Sequence, residues 1–183
     1  TGVMGSSMCG HILEAGHDIR VYTRTKEKAE NLIRSGAQWC GSPAEAARGA
    51  DFIFSIVGYP QDVEEVVFGE EGALAGAESG SVFVDMTTST PTLAERIYRE
   101  GKEDNISCLD APVSGGDTGA RNGPLAIMLG AHTEPFDKVY PFSELMGENI
   151  KLMGGAGKGQ HTKMSNQILI ASTMVGVVES LLY

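Results

Sequence analysis

Asp51-Phe52-Ile53-Phe54-Ser55-Ile56-Val57 is a continuous apolar run bounded by an acidic residue and by Gly58. Such a run suits a strand covered on both faces, as in a parallel sheet. A helical stretch, 61–68, follows almost at once. The same order recurs downstream, with an apolar strand at 81–85 and a helix opened by Thr90-Pro91 that runs to about residue 100. Toward the N-terminus, Ser42-Pro43-Ala44-Glu45 reads as a helix start with proline at the first helical position. Residues 26–34 form a polar helix closed by Gly36, 18–23 a short strand carrying Ile19, Val21 and Tyr22, and 5–15 a helix closed by Gly16. Toward the C-terminus, strands are predicted at 106–109, 125–129 and 149–153, a helix at 135–146, and a long helix from about Gly157. Strands alternating with helices predict an α/β protein: a doubly wound parallel sheet with helices on both faces and a ligand at the carboxyl ends of its strands.

Composition narrows the function classes. Of 183 residues, 42% are hydrophobic and 21% charged, and the formal net charge is −10. The acidic balance argues against a generic nucleic-acid binder, which needs a basic footprint. No uninterrupted apolar run reaches the roughly 18 residues of a membrane span, so no membrane is expected as partner. Cys9, Cys40 and Cys108 lie far apart, which predicts reduced thiols in a cytoplasmic protein, with neither a disulfide frame nor a zinc site. His11, His17 and His132 show no ligand spacing, and no metal is predicted. The opening residues form neither a basic nor an apolar leader, so no signal peptide is expected. Thr1 falls inside a glycine motif, and the apolar stretch 167–183 reads as a helix without a cap. The chain is therefore expected to be a piece of a longer protein, with its first strand upstream.

Gly2-Val3-Met4-Gly5 leads straight into a helix. In the dinucleotide pattern G-x-G-x-x-G these would be the second and third glycines, the first lying before Thr1. The second lets the backbone approach a pyrophosphate, the third lets the helix pack on the sheet, and the helix N-terminus supplies N–H donors. The strand at 18–23 ends in Tyr22-Thr23-Arg24-Thr25-Lys26, with no carboxylate to hold a ribose 2′-hydroxyl. Arg24 suits a phosphate, and Thr23 and Thr25 add hydroxyls. NADP is therefore expected in preference to NAD.

Three further segments carry a family resemblance. Asp110-Ala111-Pro112-Val113-Ser114-Gly115-Gly116, with Gly119-Ala120 and Gly123-Pro124-Leu125 after it, resembles the substrate motif of the 3-hydroxyisobutyrate dehydrogenase family of β-hydroxyacid dehydrogenases. The segment from Gly154-Gly155-Ala156-Gly157 through Lys163-Met164-Ser165-Asn166-Gln167 resembles its catalytic motif, and Asp85-Met86-Thr87-Thr88 resembles the strand end that abuts the nicotinamide. The resemblance covers essentially the whole chain. It implies a Rossmann-type domain over 1–155, and at 156–183 the start of a long helix leading to an all-helical domain that helps to form a homodimer or homotetramer. It also implies hydride transfer between NAD(P) and a small β-hydroxyacid or its semialdehyde. The Asn-Gln pair looks most like tartronate semialdehyde (2-hydroxy-3-oxopropionate) reductases, whereas the Arg-Thr pair looks more like glyoxylate and succinic semialdehyde reductases.

Within that resemblance, Lys163 is the candidate acid and base. Its position near a helix start and its burial are expected to lower its pKa. Asn166 and Gln167, three and four residues on, share its helix face and are candidates to hold the substrate. Ser114, Gly115 and Gly116 are expected to form a tight turn whose N–H groups and hydroxyl receive a carboxylate, which makes a small acid the expected partner. Val57 and Gly58 end their strand near the cofactor ribose and pyrophosphate, and Thr88 is expected at the nicotinamide. Arg121 lies near the anion turn, though a surface ion pair is its commoner fate. His161, two residues before Lys163, falls on the wrong helix face and is treated as structural or exposed. The nearest rival, 6-phosphogluconate dehydrogenase, carries His-Asn-Gly after its lysine, where this chain has Met164-Ser165-Asn166-Gln167. Imine reductases replace the lysine. A non-catalytic NADP-binding interaction module is the alternative from another class.

Overall fold

The apolar run at 51–57 becomes a strand, and two more strands fall into parallel register beside it. In the computed structural model, which describes residues 1–183, the first part of the chain forms α1 (Val3–Glu14), β1 (Arg20–Val21), a 3-10 turn (Lys26–Ala29), α2 (Glu30–Arg34), β2 (Gln38–Trp39), α3 (Pro43–Ala47), β3 (Phe52–Ser55), α4 (Pro60–Phe68) and α5 (Ala73–Gly76). The remainder forms β4 (Val82–Asp85), α6 (Pro91–Glu103), β5 (Ser107–Asp110), β6 (Val113–Ser114), α7 (Gly116–Asn122), β7 (Leu125–Gly130), α8 (Thr133–Met146), β8 (Gly147–Gly154) and α9 (Lys158–Leu182). Proline opens α3, α4 and α6 at the first helical position, where its missing N–H costs nothing. Ser42 caps α3 by accepting from the Glu45 N–H at 3.1 Å, and Thr90 caps α6 by accepting from the Leu93 N–H at 3.3 Å.

The larger sheet runs β3-β4-β5-β7-β6, with β8 on the other edge of β7. β3, β4 and β5 are parallel, with Ser55, Asp85 and Asp110 aligned at their carboxyl ends. Every residue of β4 is buried. Val82 and Val84 pack with Met8 of α1, while Phe83 packs on the opposite face with Val63, Val67 and Ile97. This is the two-faced burial that the apolar runs implied.

Two departures from an all-parallel single sheet stand out. First, β7 is antiparallel to β5 and β6 and parallel only to β8. The pairs Asp110↔Gly130, Val113↔Ile127 and Ser114↔Ala126 share one continuous register, so β5 and β6 act as one strand bent at Ala111-Pro112. The link from β6 to β7 holds only α7 and a left-handed Gly123 (φ 90°), which is too short for the crossover that a parallel neighbour requires. Second, β1 and β2 pair only with each other, and the strand expected over 18–23 is reduced to two residues. A cleft of about 1660 Å³ separates this pair from β3, lined by apolar side chains that include Ile12, Ile19, Phe52 and Phe54.

The N-terminal turns of α9 pack on β7, β8 and α6, whereas Ile168, Leu169, Leu181 and Leu182 are exposed. By length and composition alone α9 is apolar enough to cross a membrane, although no uninterrupted apolar run within it reaches 18 residues. Uncharged Ser165, Asn166 and Gln167 break the run without making the helix strongly polar.

Candidate functional site

The ends of three strands and the first turns of α9 enclose a cleft of about 480 Å³. Val57 and Gly58 follow β3, Thr87 and Thr88 follow β4, Ser114 ends β6, and Gly115 and Gly116 open α7. Lys163, Gln167 and Ile170 project from α9, and Met4 from α1 closes one side. Residues from five separated segments of the chain, each expected at the site, therefore meet. Asn166 joins through Ser114, whose hydroxyl donates to its Oδ1 at 3.4 Å. Gly115 (φ 137°) and Gly116 (φ 61°) make the expected turn, in conformations that disfavour other residues.

Lys163 is only 4% exposed and is the one charged residue that lines the cleft. Burial lowers its pKa from the usual lysine value, because the ammonium loses water and gains no carboxylate. Its helix is held by Asp110, which accepts from the Gly157 N–H at 2.7 Å through Oδ1 and from the Gln160 N–H at 2.8 Å through Oδ2. Asp110 thus caps α9 from another strand. Gly159 permits the contact, since a Cβ there would collide with the Met128 carbonyl oxygen.

Below the cleft, Asp85 Oδ1 accepts from Ser55 Oγ at 2.8 Å and from the Thr87 N–H at 3.1 Å. Thr87 Oγ1 in turn accepts from the Val57 N–H at 3.0 Å. Burial pushes the Asp85 carboxyl up to about 6, these hydrogen bonds oppose the rise, and the neighbouring Asp110 charge adds to it. Asp110 is likewise raised by burial against its backbone donors. Asp85, Asp110, Ser55, Thr87 and Gln160 have no assigned role in the sequence reading. Asp85, Thr87, Asp110 and Gln160 stand inside quoted motifs, but their partners on other elements lie 30 to 73 residues away and leave no local signal.

The second, larger cleft adjoins the first at Met4, Val57 and Gly58. Gly2, Val3, Met4 and Gly5 line it, as do Thr23, Arg24 and Thr25. No side chain caps α1 and no acid sits in its first turn. The first intrahelical bond is Ser6 N–H to Gly2 O, so the N–H groups of Val3, Met4 and Gly5 have no acceptor within the helix. A Cβ on Gly5 would lie 2.9 Å from Ile56, so glycine allows α1 this close to β3. These features fit a dinucleotide pyrophosphate. Arg24 has a partner the sequence did not disclose: its guanidinium lies 3.0 Å from Asp62 at the start of α4.

Other candidates fall outside. Arg121 pairs with Asp117 on the surface of α7, His161 is exposed, and His11 Nε2 bonds the Ala120 carbonyl at 2.8 Å. No cluster of potential metal ligands is present.

Residues 1–155 match the family pattern described as the NAD binding domain of 6-phosphogluconate dehydrogenase. The chain is 54% identical over 182 residues to the uncharacterized oxidoreductase YkwC of Bacillus subtilis, covering 100% of this chain and 63% of that protein. It is 50% identical over 184 residues to the probable 3-hydroxyisobutyrate dehydrogenase-like 1, mitochondrial, of Arabidopsis thaliana, covering 100% of this chain and 55% of that one. The solved structure of Mycobacterium tuberculosis 3-hydroxyisobutyrate dehydrogenase with L-serine superposes with a TM-score of 0.91 at 28% identity, over 98% of this chain and 60% of that one. The chain thus spans less than two thirds of the length of the curated relatives it matches.

Proposed function

The chain belongs to the family of the NAD binding domain of 6-phosphogluconate dehydrogenase, and from that premise we propose that it is the cofactor- and lysine-bearing part of an NAD(P)-dependent oxidoreductase for small β-hydroxyacids and their semialdehydes. One observation carries the reading: Lys163, buried and alone in charge, faces a cleft that Ser114, Gly115, Gly116 and Thr88 also line. When bound, the nicotinamide supplies or accepts the hydride.

The residues of the chain do the rest. Val3, Met4 and Gly5 offer backbone N–H groups to the pyrophosphate, and Thr23, Arg24 and Thr25 receive the adenosine ribose, with Arg24 favouring a 2′-phosphate. Val57 and Gly58 carry the track toward the smaller cleft, where Thr88 meets the nicotinamide. The N–H groups of Gly115 and Gly116, with Ser114, Asn166 and Gln167, orient the substrate carboxylate and its reacting oxygen. As an ammonium, Lys163 Nζ gives a proton to the carbonyl oxygen during reduction. As a neutral amine, it takes the hydroxyl proton during oxidation. A pKa below the usual lysine range makes both forms accessible.

Residues 1–155 form the cofactor domain in this reading, and 156–183 begin the helix toward a second domain. Exposed Ile168, Leu169, Leu181 and Leu182 support a covered surface on α9, which fits a homodimer or homotetramer. The test uses the whole protein. NADPH and NADH consumption is followed with tartronate semialdehyde, succinic semialdehyde, glyoxylate and methylmalonate semialdehyde. Turnover of at least one is expected, with NADPH preferred; inertness toward all four with NADPH bound overturns the reading.

A further inference from the structure

We propose that Gln160 is a positioning residue that clamps α9 to the loop after β4 and thereby holds Lys163 inside the cleft. Gln160 is fully buried and every polar atom of its side chain is engaged. Its Nε2 donates to the Thr87 carbonyl at 2.7 Å, and its Oε1 accepts from the Ser89 N–H at 2.9 Å. Its own N–H donates to Asp110 at 2.8 Å. One residue therefore joins α9 to the ends of β4 and β5.

The clamp reaches both walls of the cleft. Thr87, which receives the Gln160 amide, also accepts from Val57 and donates to Asp85. Val57, Thr87 and Lys163 all line the cleft. Lys163 lies three residues beyond Gln160, one turn along the same side of the helix. A lysine side chain is a flexible four-carbon stem, so the seating of its helix sets where its nitrogen stands and how dry it is. An amide donates at one end and accepts at the other, as the Thr87 carbonyl and the Ser89 N–H require. Neither glutamate nor methionine does both at neutral pH.

The proposal rests on Lys163 as the proton carrier, and its test has one arm that needs no turnover. In the whole protein, amines are acylated with acetic anhydride across a pH series, and the labelling of Lys163 is read by peptide mass spectrometry. Wild-type Lys163 is expected to label slowly, with a midpoint below that of the exposed lysines. In Gln160→Glu and Gln160→Met, labelling is expected to rise about tenfold, with the midpoint moving toward the exposed lysines. Wild-type labelling and midpoint in either variant, with its thermal melt retained, would overturn the proposal. So would a wild-type Lys163 that labels like the surface lysines, an outcome that needs no variant to fold.

The second arm uses whichever semialdehyde is turned over. Both variants are expected to lose about tenfold in kcat, with NADPH affinity within about threefold of wild type. Gln160→Glu, unlike Gln160→Met, recovers as the pH falls, because the protonated carboxyl again donates to the Thr87 carbonyl. Loss of NADPH binding in step with kcat, and no recovery at low pH, would mark Gln160 as merely structural. If no semialdehyde is turned over, the functional reading falls while the labelling arm still decides the clamp.

Discussion

Ser114 donates to Asn166 at 3.4 Å although 52 residues separate them. The bond joins the end of β6 to the third turn of α9 and spends the serine proton on the asparagine carbonyl. The Asn166 amide nitrogen keeps both of its protons for another acceptor, while Ser114, which lines the cleft, keeps its lone pairs. The pair works as a unit with a direction.

Ser114→Ala is therefore expected to raise KM for the acid roughly threefold to tenfold with kcat nearly unchanged, the size of one lost neutral hydrogen bond. Asn166→Asp is expected to raise it further, because a carboxylate would face the substrate carboxylate. Steady-state kinetics check both. An effect confined to NADPH binding would remove Ser114 from substrate recognition.

Lys163→Ala is expected to lower kcat by roughly 10²–10⁴, the usual worth of a positioned acid or base, and to leave NADPH affinity almost intact. Because burial lowers the lysine pKa, oxidation rises and reduction falls as pH passes through a value below the ordinary lysine range near 10.4. Rate profiles in both directions test this, and an unchanged profile in the alanine variant would exclude Lys163 from proton transfer.

Arg24 and Asp62 set the third expectation. Arg24→Ala should weaken NADPH by about tenfold to a hundredfold more than NADH, as expected for lost charge-assisted bonds to a phosphate. Asp62 competes for the same guanidinium across the larger cleft. Asp62→Asn should therefore tighten NADPH, by no more than about fivefold, since Arg24 is largely exposed and exposed pairs are weak. Fluorescence titration with both cofactors decides; equal losses for NADPH and NADH in Arg24→Ala refute the phosphate role.

Asp85 predicts a stability profile. Its folded pKa is about 6, against about 3.9 in the unfolded chain. Between those values the native state holds more protons than the unfolded one. The contribution is thus fully present below about pH 4 and is lost as pH rises through 6. The loss is on the order of 3 kcal/mol. Asp85→Asn keeps an oxygen that accepts from Ser55 and Thr87 but does not titrate. Relative to wild type it should gain stability from pH 4 to 6 and then level off. Urea unfolding across that range measures the difference, and parallel curves would contradict it.

The elements written in adjacent residues were legible before folding. Ser42 and Thr90 cap their helices, proline starts α3 and α6, and the β4 run is buried on both faces. Caps and apolar runs depend on neighbours along the chain. The motifs around Ser114 and Lys163 were legible as well, and they lie on one cleft.

Sequence by itself determined the α/β order and the motifs that carry Ser114 and Lys163. Tertiary structure alone decided the antiparallel return of β7, the Arg24–Asp62 contact and the seating of α9 on Asp110 and Gln160. Each of these depends on groups tens of residues apart, whose meeting is set by packing and by the pairing of buried polar atoms. Such a pairing leaves no period or spacing along the chain, because neither partner constrains its own neighbours until the two are brought together.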